Sequence, residues 1–287
     1  MKIANIIIAH KNPGQLLKLV NQFSASHFHN FVHLDARANI TQFNDIVSHP
    51  AVTMLPRVKV NWAANSFLGV IIDSVKQVLS SNGGYSYINL MSGMDFPIRS
   101  TEEFHDFLEE AYKKGPIEFF DILDLDQWPG AHRYERIHFN EWTIKGRYFV
   151  ERIVNSFIPK RKFWGGRMVP YGYSTWFTAS DQFMTYALKF FEENPGYIRF
   201  LKTCWCPDEF IFNSLVMNSP FKNKVEQQTV RYIDWSEGNV HPKLFKSDDV
   251  NKLLSSGRFI ARKFDQSVDK NVLDELEISN LKSQISN

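Results

Sequence analysis

Short apolar runs alternate with helical spacings over about the first 110 residues, and this constrains the fold more than any other feature. Ala4–Ala9 is an apolar run closed by His10-Lys11-Asn12-Pro13-Gly14. Leu16, Leu17, Leu19, Val20 and Phe23 then recur at helical spacing. Asn30–Leu34 reads as a second strand, ending in His33-Leu34-Asp35. Val52–Leu55 and Val58–Val60 read as strand-like, and Phe67, Val70, Ile71, Val75, Val78 and Leu79 mark a helix. Tyr87–Met91 is a further strand, halted by Ser92-Gly93-Met94-Asp95-Phe96-Pro97. Strands joined by crossover helices in this order make a parallel, doubly wound sheet. Such sheets hold ligands at the carboxyl ends of their strands, where neighbouring loops diverge. His10, Asp35, Asn61–Ser66 and Ser92–Asp95 sit on those loops and are expected along one edge.

The second half is more elaborate. Glu102–Lys114 reads as a helix stopped by Gly115-Pro116, and Ile117–Asp126 is strand-like. No Gly/Ser linker, low-complexity tract or internal repeat separates the halves. The expectation is one domain over 1–265, in two halves, 1–115 and 116–265. Residues 266–287 would form a C-terminal helix or tail.

Hydrophobic residues make up 44% of the chain and charged ones 22%, which suits a globular protein with a real core. The net charge of +2 gives no nucleic-acid signature, so no nucleic acid is expected as a partner. Cys204 and Cys206 flank Trp205, too close for an easy disulfide and too few for a structural zinc. Reduced thiols are expected. The apolar run in MKIANIIIAHKNPG is too short for a signal h-region or a membrane span, so the chain is expected in the cytoplasm, with any membrane contact peripheral.

One stretch departs from this ordinary composition. Between 145 and 167, Lys145, Arg147, Arg152, Lys160, Arg161, Lys162 and Arg167 face a single acid, Glu151. Tyr148, Phe149, Phe157, Phe163 and Trp164 are interleaved with them. A solvated basic face is one reading, and a peripheral contact with an anionic membrane is the other.

Four segments carry candidate chemistry. Gly172–Phe177 puts Trp176 on a strand after a glycine turn, and Pro207-Asp208-Glu209 puts two carboxylates before a helical pattern. Carboxylates there also serve as helix caps or dipole partners. Arg231 opens the strand-like Val230–Trp235, and Arg262-Lys263 interrupts an apolar stretch. Two cationic segments at this separation could hold a diphosphate without a metal. Asp124-Leu125-Asp126 has the Asp-x-Asp spacing of a Mn²⁺ or Mg²⁺ site, but the motif is short and is taken as a chance match, so no metal is expected.

Several landmarks occur in family order: His10-Lys11, His33-Leu34-Asp35, Trp62–Ser66, INLMSGMDFPIRS, GYSTWF, PDEFIFNSLVMNSP, VRYIDW and FIARKFD. On these the chain resembles the core-2/I-branching β-1,6-N-acetylglucosaminyltransferase family, which also holds the peptide O-xylosyltransferases. The resemblance implies a GT-A-like α/β fold and an inverting, metal-independent transfer from a UDP-sugar to a glycan acceptor. It places the catalytic base at Glu209 and the diphosphate ligands at Arg231 and Lys263. Asp35 falls near the nucleoside, with His10 and Ser66 on the donor side. Trp176, with Asp95 and Asp208, falls on the acceptor side. N-acetylglucosamine is the expected donor sugar, with xylose and glucuronic acid as alternatives. A catalytically silent glycan-binding protein is the alternative of another class. The animal members have a stem and several disulfides, so a short, cytosolic, bacterial-type member acting on a lipid-linked acceptor is expected.

Overall fold

Ile3, Ile7 and Ala9 fall on one face of the first strand and Ala4 and Ile6 on the other, and all are buried. A strand with two dry faces has to lie inside a sheet covered on both sides. The structure, a computed structural model, describes residues 1–285. Its strands are β1 (Ile3–Ala9), β2 (Phe28–Leu34), β3 (Val52–Met54), β4 (Tyr87–Ser92), β5 (Asp95–Pro97), β6 (Glu118–Leu123), β7 (Gly172–Ser180), β8 (Val225–Glu226), β9 (Arg231–Ile233) and β10 (Ile260–Arg262).

The main sheet has the order β3-β2-β1-β4-β7-β6-β8. β3, β2, β1 and β4 are mutually parallel, whereas β7 runs against both β4 and β6. The sheet is therefore mixed but mostly parallel, a GT-A-like α/β arrangement. Helices Pro13–Gln22 and Thr101–Lys113 cover one face with Leu16, Leu19, Phe104 and Leu108. Helices Asn65–Ser80 and Asp181–Glu193 cover the other with Leu68, Ile71, Phe183 and Met184. A second, small sheet, β5-β10-β9, lies beside the carboxyl ends of the main strands.

A polar ladder crosses this apolar sandwich. Asn5 Nδ2 donates to Asn30 Oδ1 at 3.0 Å, and Asn89 Nδ2 donates to Asn5 Oδ1 at 2.9 Å. Thr178 Oγ1 donates to Asn89 Oδ1 at 2.8 Å. These residues are register partners across β2, β1, β4 and β7. Each buried amide thus finds a partner on the next strand, which an isolated buried amide could not do without penalty. A one-residue slip of any strand would break the row.

Three expectations need correction or completion. Val58–Val60 is not a strand. Its backbone is claimed by side chains instead: Val58 N–H donates to His33 Nε2 at 3.3 Å and Val60 N–H to Asp35 Oδ2 at 3.1 Å. The strand-like 117–126 stretch ends at Leu123, because Asp124 Oδ1 accepts from the N–H groups of Asp126 and Gln127 and turns the chain. Of the C-terminal segment, Asn271–Ile285 is helical, and residues 286–287 lie outside the described residues. Among the described residues no helix is long and apolar enough to cross a membrane. Cys204 and Cys206 are free and buried, and burial pushes the Cys204 thiol up to about 12.

Candidate active site

A cleft of about 690 Å³ opens where the carboxyl ends of β1, β2 and β4 meet β10. His10, Asp35 and Ser92 line it from the parallel strands. Because β7 runs antiparallel, its first residues rather than its last reach this edge, and Tyr173–Trp176 form the opposite wall.

Glu209 enters the cleft on a strained connection. Cys206 has φ 46° and Ala63 has φ 61°, a left-handed backbone that costs a non-glycine residue about 1–2 kcal/mol. The two strained residues are joined by a hydrogen bond from Cys206 N–H to Ala63 O at 3.0 Å. From there Pro207–Glu209 makes one 3-10 turn before the helix Ile211–Met217. Asp208 is turned inward and accepts from Thr175 Oγ1 at 2.7 Å. Its other oxygen has no hydrogen-bond partner.

Glu209 Oε2 pairs with Arg133 Nη1 at 2.5 Å. The Arg133 guanidinium is itself held over the Trp205 ring, 4.7 Å from its centroid. Burial, followed by the neighbouring Asp208 charge, raises the Glu209 carboxyl to about 7, against the pull of Arg133. Asp208 is raised as well, chiefly by burial. A carboxylate poised near neutrality and facing a cleft has the properties of a general base.

Arg262 and Lys263 bring the positive charge, on either side of a cis peptide bond at the end of β10. Arg262 lies over the Trp176 ring, 4.3 Å from its centroid, and its Nε is 3.7 Å from Asp95 Oδ1. The β10–β5 register sets that contact, since Arg262 and Asp95 are direct partners. Lys263 makes no ion pair among the described residues. Burial lowers its ammonium pKa, with help from Arg262 and Lys11.

Arg231, Asp95 and Ser66 do not line the cleft. Arg231 is buried at the end of the polar ladder. Its guanidinium donates to Thr178 Oγ1 at 3.1 Å, Asn89 Oδ1 at 2.5 Å, Leu90 O at 3.0 Å and Phe177 O at 2.7 Å. These bonds fasten β9 to the main sheet, while the Nε has no hydrogen-bond partner. Asp95 is fully buried, accepting from Ser92 N–H at 3.1 Å and Ser92 Oγ at 2.7 Å, and so closes the turn after β4. Ser66 Oγ accepts from Asn61 N–H at 3.0 Å and thereby shapes the loop from behind.

The remaining candidates do face the cleft. Burial pushes the Asp35 carboxyl up, but bonds from Arg37 and from Val60 N–H outweigh it and hold the group well below the usual carboxylate range. His10 is lowered by burial and by the nearby Lys11 and Lys263. Trp176 and Asp208 line the cleft as well. Asp124 and Asp126 are not among the lining residues. No group of three or more His, Cys, Asp or Glu able to hold a metal ion occurs among the described residues.

The sequence reasoning missed Arg133 and passed over Arg262. Nothing in AHRYERI marks Arg133, which is brought to Glu209 from a separate loop. Arg262 adjoins Lys263 and was visible as the other half of a basic pair. Trp62, on the expected Asn61–Ser66 loop, lines the cleft, and so does His241, which nothing in the sequence marks. The Trp62 ring stands 6.0 Å from that of Trp205 and 6.2 Å from that of His241 at the mouth.

A family model described as Core-2/I-Branching enzyme matches residues 3–255. Xylosyltransferase 2 of Rattus norvegicus is 24% identical over 305 residues, covering 96% of this chain and 33% of its own length. The human Xylosyltransferase 2 is 23% identical over the same span. A xylosyltransferase of Ciona intestinalis is 21% identical over 311 residues, 96% of this chain and 34% of its own. The chain thus spans about a third of the length of these relatives.

Proposed function

The chain belongs to the Core-2/I-Branching enzyme family, and from that membership we propose that it is an inverting glycosyltransferase, moving a sugar from a UDP-sugar to a hydroxyl of a glycan acceptor. The observation that carries this reading is that Glu209 and the Arg262–Lys263 pair line one and the same cleft.

Inversion needs one base on the face of the sugar opposite the leaving group. Oε2 of Glu209 is occupied by Arg133, and Oε1 carries no hydrogen bond among the described residues. Oε1 accepts the proton of the acceptor hydroxyl as that oxygen attacks C1 and the C1–O bond to UDP breaks. Negative charge grows on the departing diphosphate, and Lys263 meets it as a fixed cation, with Arg262 behind it. A preorganised donor or cation of this kind contributes about 10²–10³ in rate. In this reading the two cations fill the role a divalent metal has elsewhere, so no metal is required.

Asp35, held ionised by Arg37, is placed to accept from the hydroxyls of the nucleoside. Trp176 and the Trp62–Trp205 pair offer apolar ring faces to the acceptor sugar. The sugar transferred is N-acetylglucosamine or xylose, and the names of the relatives favour xylose. Glu209→Gln tests the mechanism. Transfer should fall by at least about 10²-fold while UDP affinity stays within about threefold of wild type. Turnover at the wild-type rate would remove Glu209 from the mechanism.

A further inference from the structure

Helix Arg147–Phe157 turns bulky apolar side chains to solvent. None of its residues is buried. The side that meets the protein is mixed, with Val150 and Val154 half-buried beside polar anchors: Asn155 Oδ1 accepts from Ile137 N–H at 2.8 Å, Asn155 Nδ2 donates to Ile137 O at 2.8 Å, and Glu151 Oε1 accepts from Phe139 N–H at 2.9 Å. Tyr148, Phe149, Ile153 and Phe157 recur at helical spacing on the outer side, and they are 70%, 59%, 43% and 83% exposed. Trp142, just before the helix, is 43% exposed and stacks on Phe139 at 4.4 Å. A contiguous apolar stripe left in water marks a docking surface.

The charges around the stripe select its partner. Lys145, Arg152, Lys162 and Arg167 are exposed and make no ion pair among the described residues. Arg152 lies 5.8 Å from the Phe149 ring centroid, so a cation stands within the apolar face itself. A second copy docked here about a two-fold axis would bring this basic patch against itself. An anionic bilayer complements both features, because aromatic rings enter the headgroup boundary while Lys and Arg meet the lipid phosphates.

We propose that this helix and its flanking cations seat the protein on an anionic lipid bilayer. The surface also adjoins the cleft. Asn61 Nδ2 donates to Glu141 Oε2 at 3.1 Å, and Asn140 Nδ2 donates to Ala63 O at 2.9 Å, so the segment leading into the helix is fastened to the cleft rim. A bilayer held here lies beside the mouth through which an acceptor enters.

The test is co-sedimentation of the full chain at low salt with vesicles of phosphatidylcholine alone or mixed with phosphatidylglycerol. Two variants are carried alongside: Phe149→Ser with Phe157→Ser, and Arg152→Glu with Lys162→Glu. Circular dichroism checks that each is folded, and either folded variant decides the question. The wild type should bind the anionic vesicles at least about tenfold more tightly than the neutral ones, with a blue shift in tryptophan emission. Each folded variant should lose about tenfold of that affinity. Equal binding to both vesicle types, no binding at all, or a folded variant that binds like wild type would overturn the proposal. So would light scattering showing a dimer that the variants abolish in a protein that ignores vesicles. Because lipid binding is read without any sugar donor, the outcome is separate from that of the glycosyltransferase reading.

Discussion

At the scale of single residues, the site turns on which charges are free to act and which are already spent. Glu209 has one oxygen committed to Arg133 and one available. Arg133 favours the ionised carboxylate, so it draws the Glu209 pKa down against burial and Asp208. Removing Arg133 should therefore raise that pKa and move the acidic limb of the pH–rate profile to higher pH. Arg133→Ala should show this shift in kcat, and an unmoved limb would deny the coupling. Arg231 presents the opposite case, a cation whose four hydrogen bonds all serve the fold. Arg231→Ala leaves Asn89, Thr178 and two carbonyls with fewer donors, and should cost on the order of 2–4 kcal/mol of stability. Urea unfolding measures this, and an unchanged midpoint with weakened UDP binding would return Arg231 to the ligand.

At the scale of elements, the small β5-β10-β9 sheet is what joins acid to cation. β10 sits between β5 and β9, so Asp95 steadies Arg262 on one side while Arg231 anchors the other strand to the main sheet. If the proposed mechanism holds, Asp95 acts on the cleft as a positioning residue, through Arg262. Asp95→Asn keeps one of the two oxygens that accept from Ser92 in the turn after β4 and removes the charge that faces Arg262. The expected result is a protein that still folds, with a lowered melting temperature and a kcat lowered by about tenfold. Loss of folding without any separate kinetic effect would make Asp95 purely structural. Glu209 arrives on an element of another kind, a single 3-10 turn after a left-handed Cys206.

Across the whole molecule, acid should loosen the cleft. Asp35, Asp234 and Asp265 are all held below the usual carboxylate range: Asp234 chiefly by Lys252 and Ser236, Asp265 by Lys11, Ser267 and Asn12 against its burial, and Asp35 by Arg37 and Val60. A carboxyl depressed in the folded state stabilises it above the ordinary value of 3.8, and that contribution is lost as the pH falls below it. Asp35→Asn should be less stable than wild type at neutral pH, and the gap should narrow as the pH is taken well below 3.8. A gap independent of pH in urea titrations would contradict the assignment.

Much of this organisation is written locally. The apolar runs of β1, β2 and β4 and the helical periods between them announce the parallel half, and the loops after those strands bring His10, Asp35 and Ser92 to one edge. What is not local is direction and register. Nothing in GYSTWF says that β7 runs backward, and nothing in VRYIDW or FIARKFD separates the buried Arg231 from the cleft-lining Arg262. Those differences arise only when the strands pair. The central claim is metal-free recognition of the diphosphate by Lys263 with Arg262. It is tested most directly by calorimetric titration of UDP-xylose, UDP-N-acetylglucosamine and UDP in EDTA, with wild type and Lys263→Ala. Binding in EDTA, one sugar preferred, and a loss of about tenfold or more in the variant are expected. Binding that appears only with Mn²⁺, or that ignores the loss of Lys263, would contradict it.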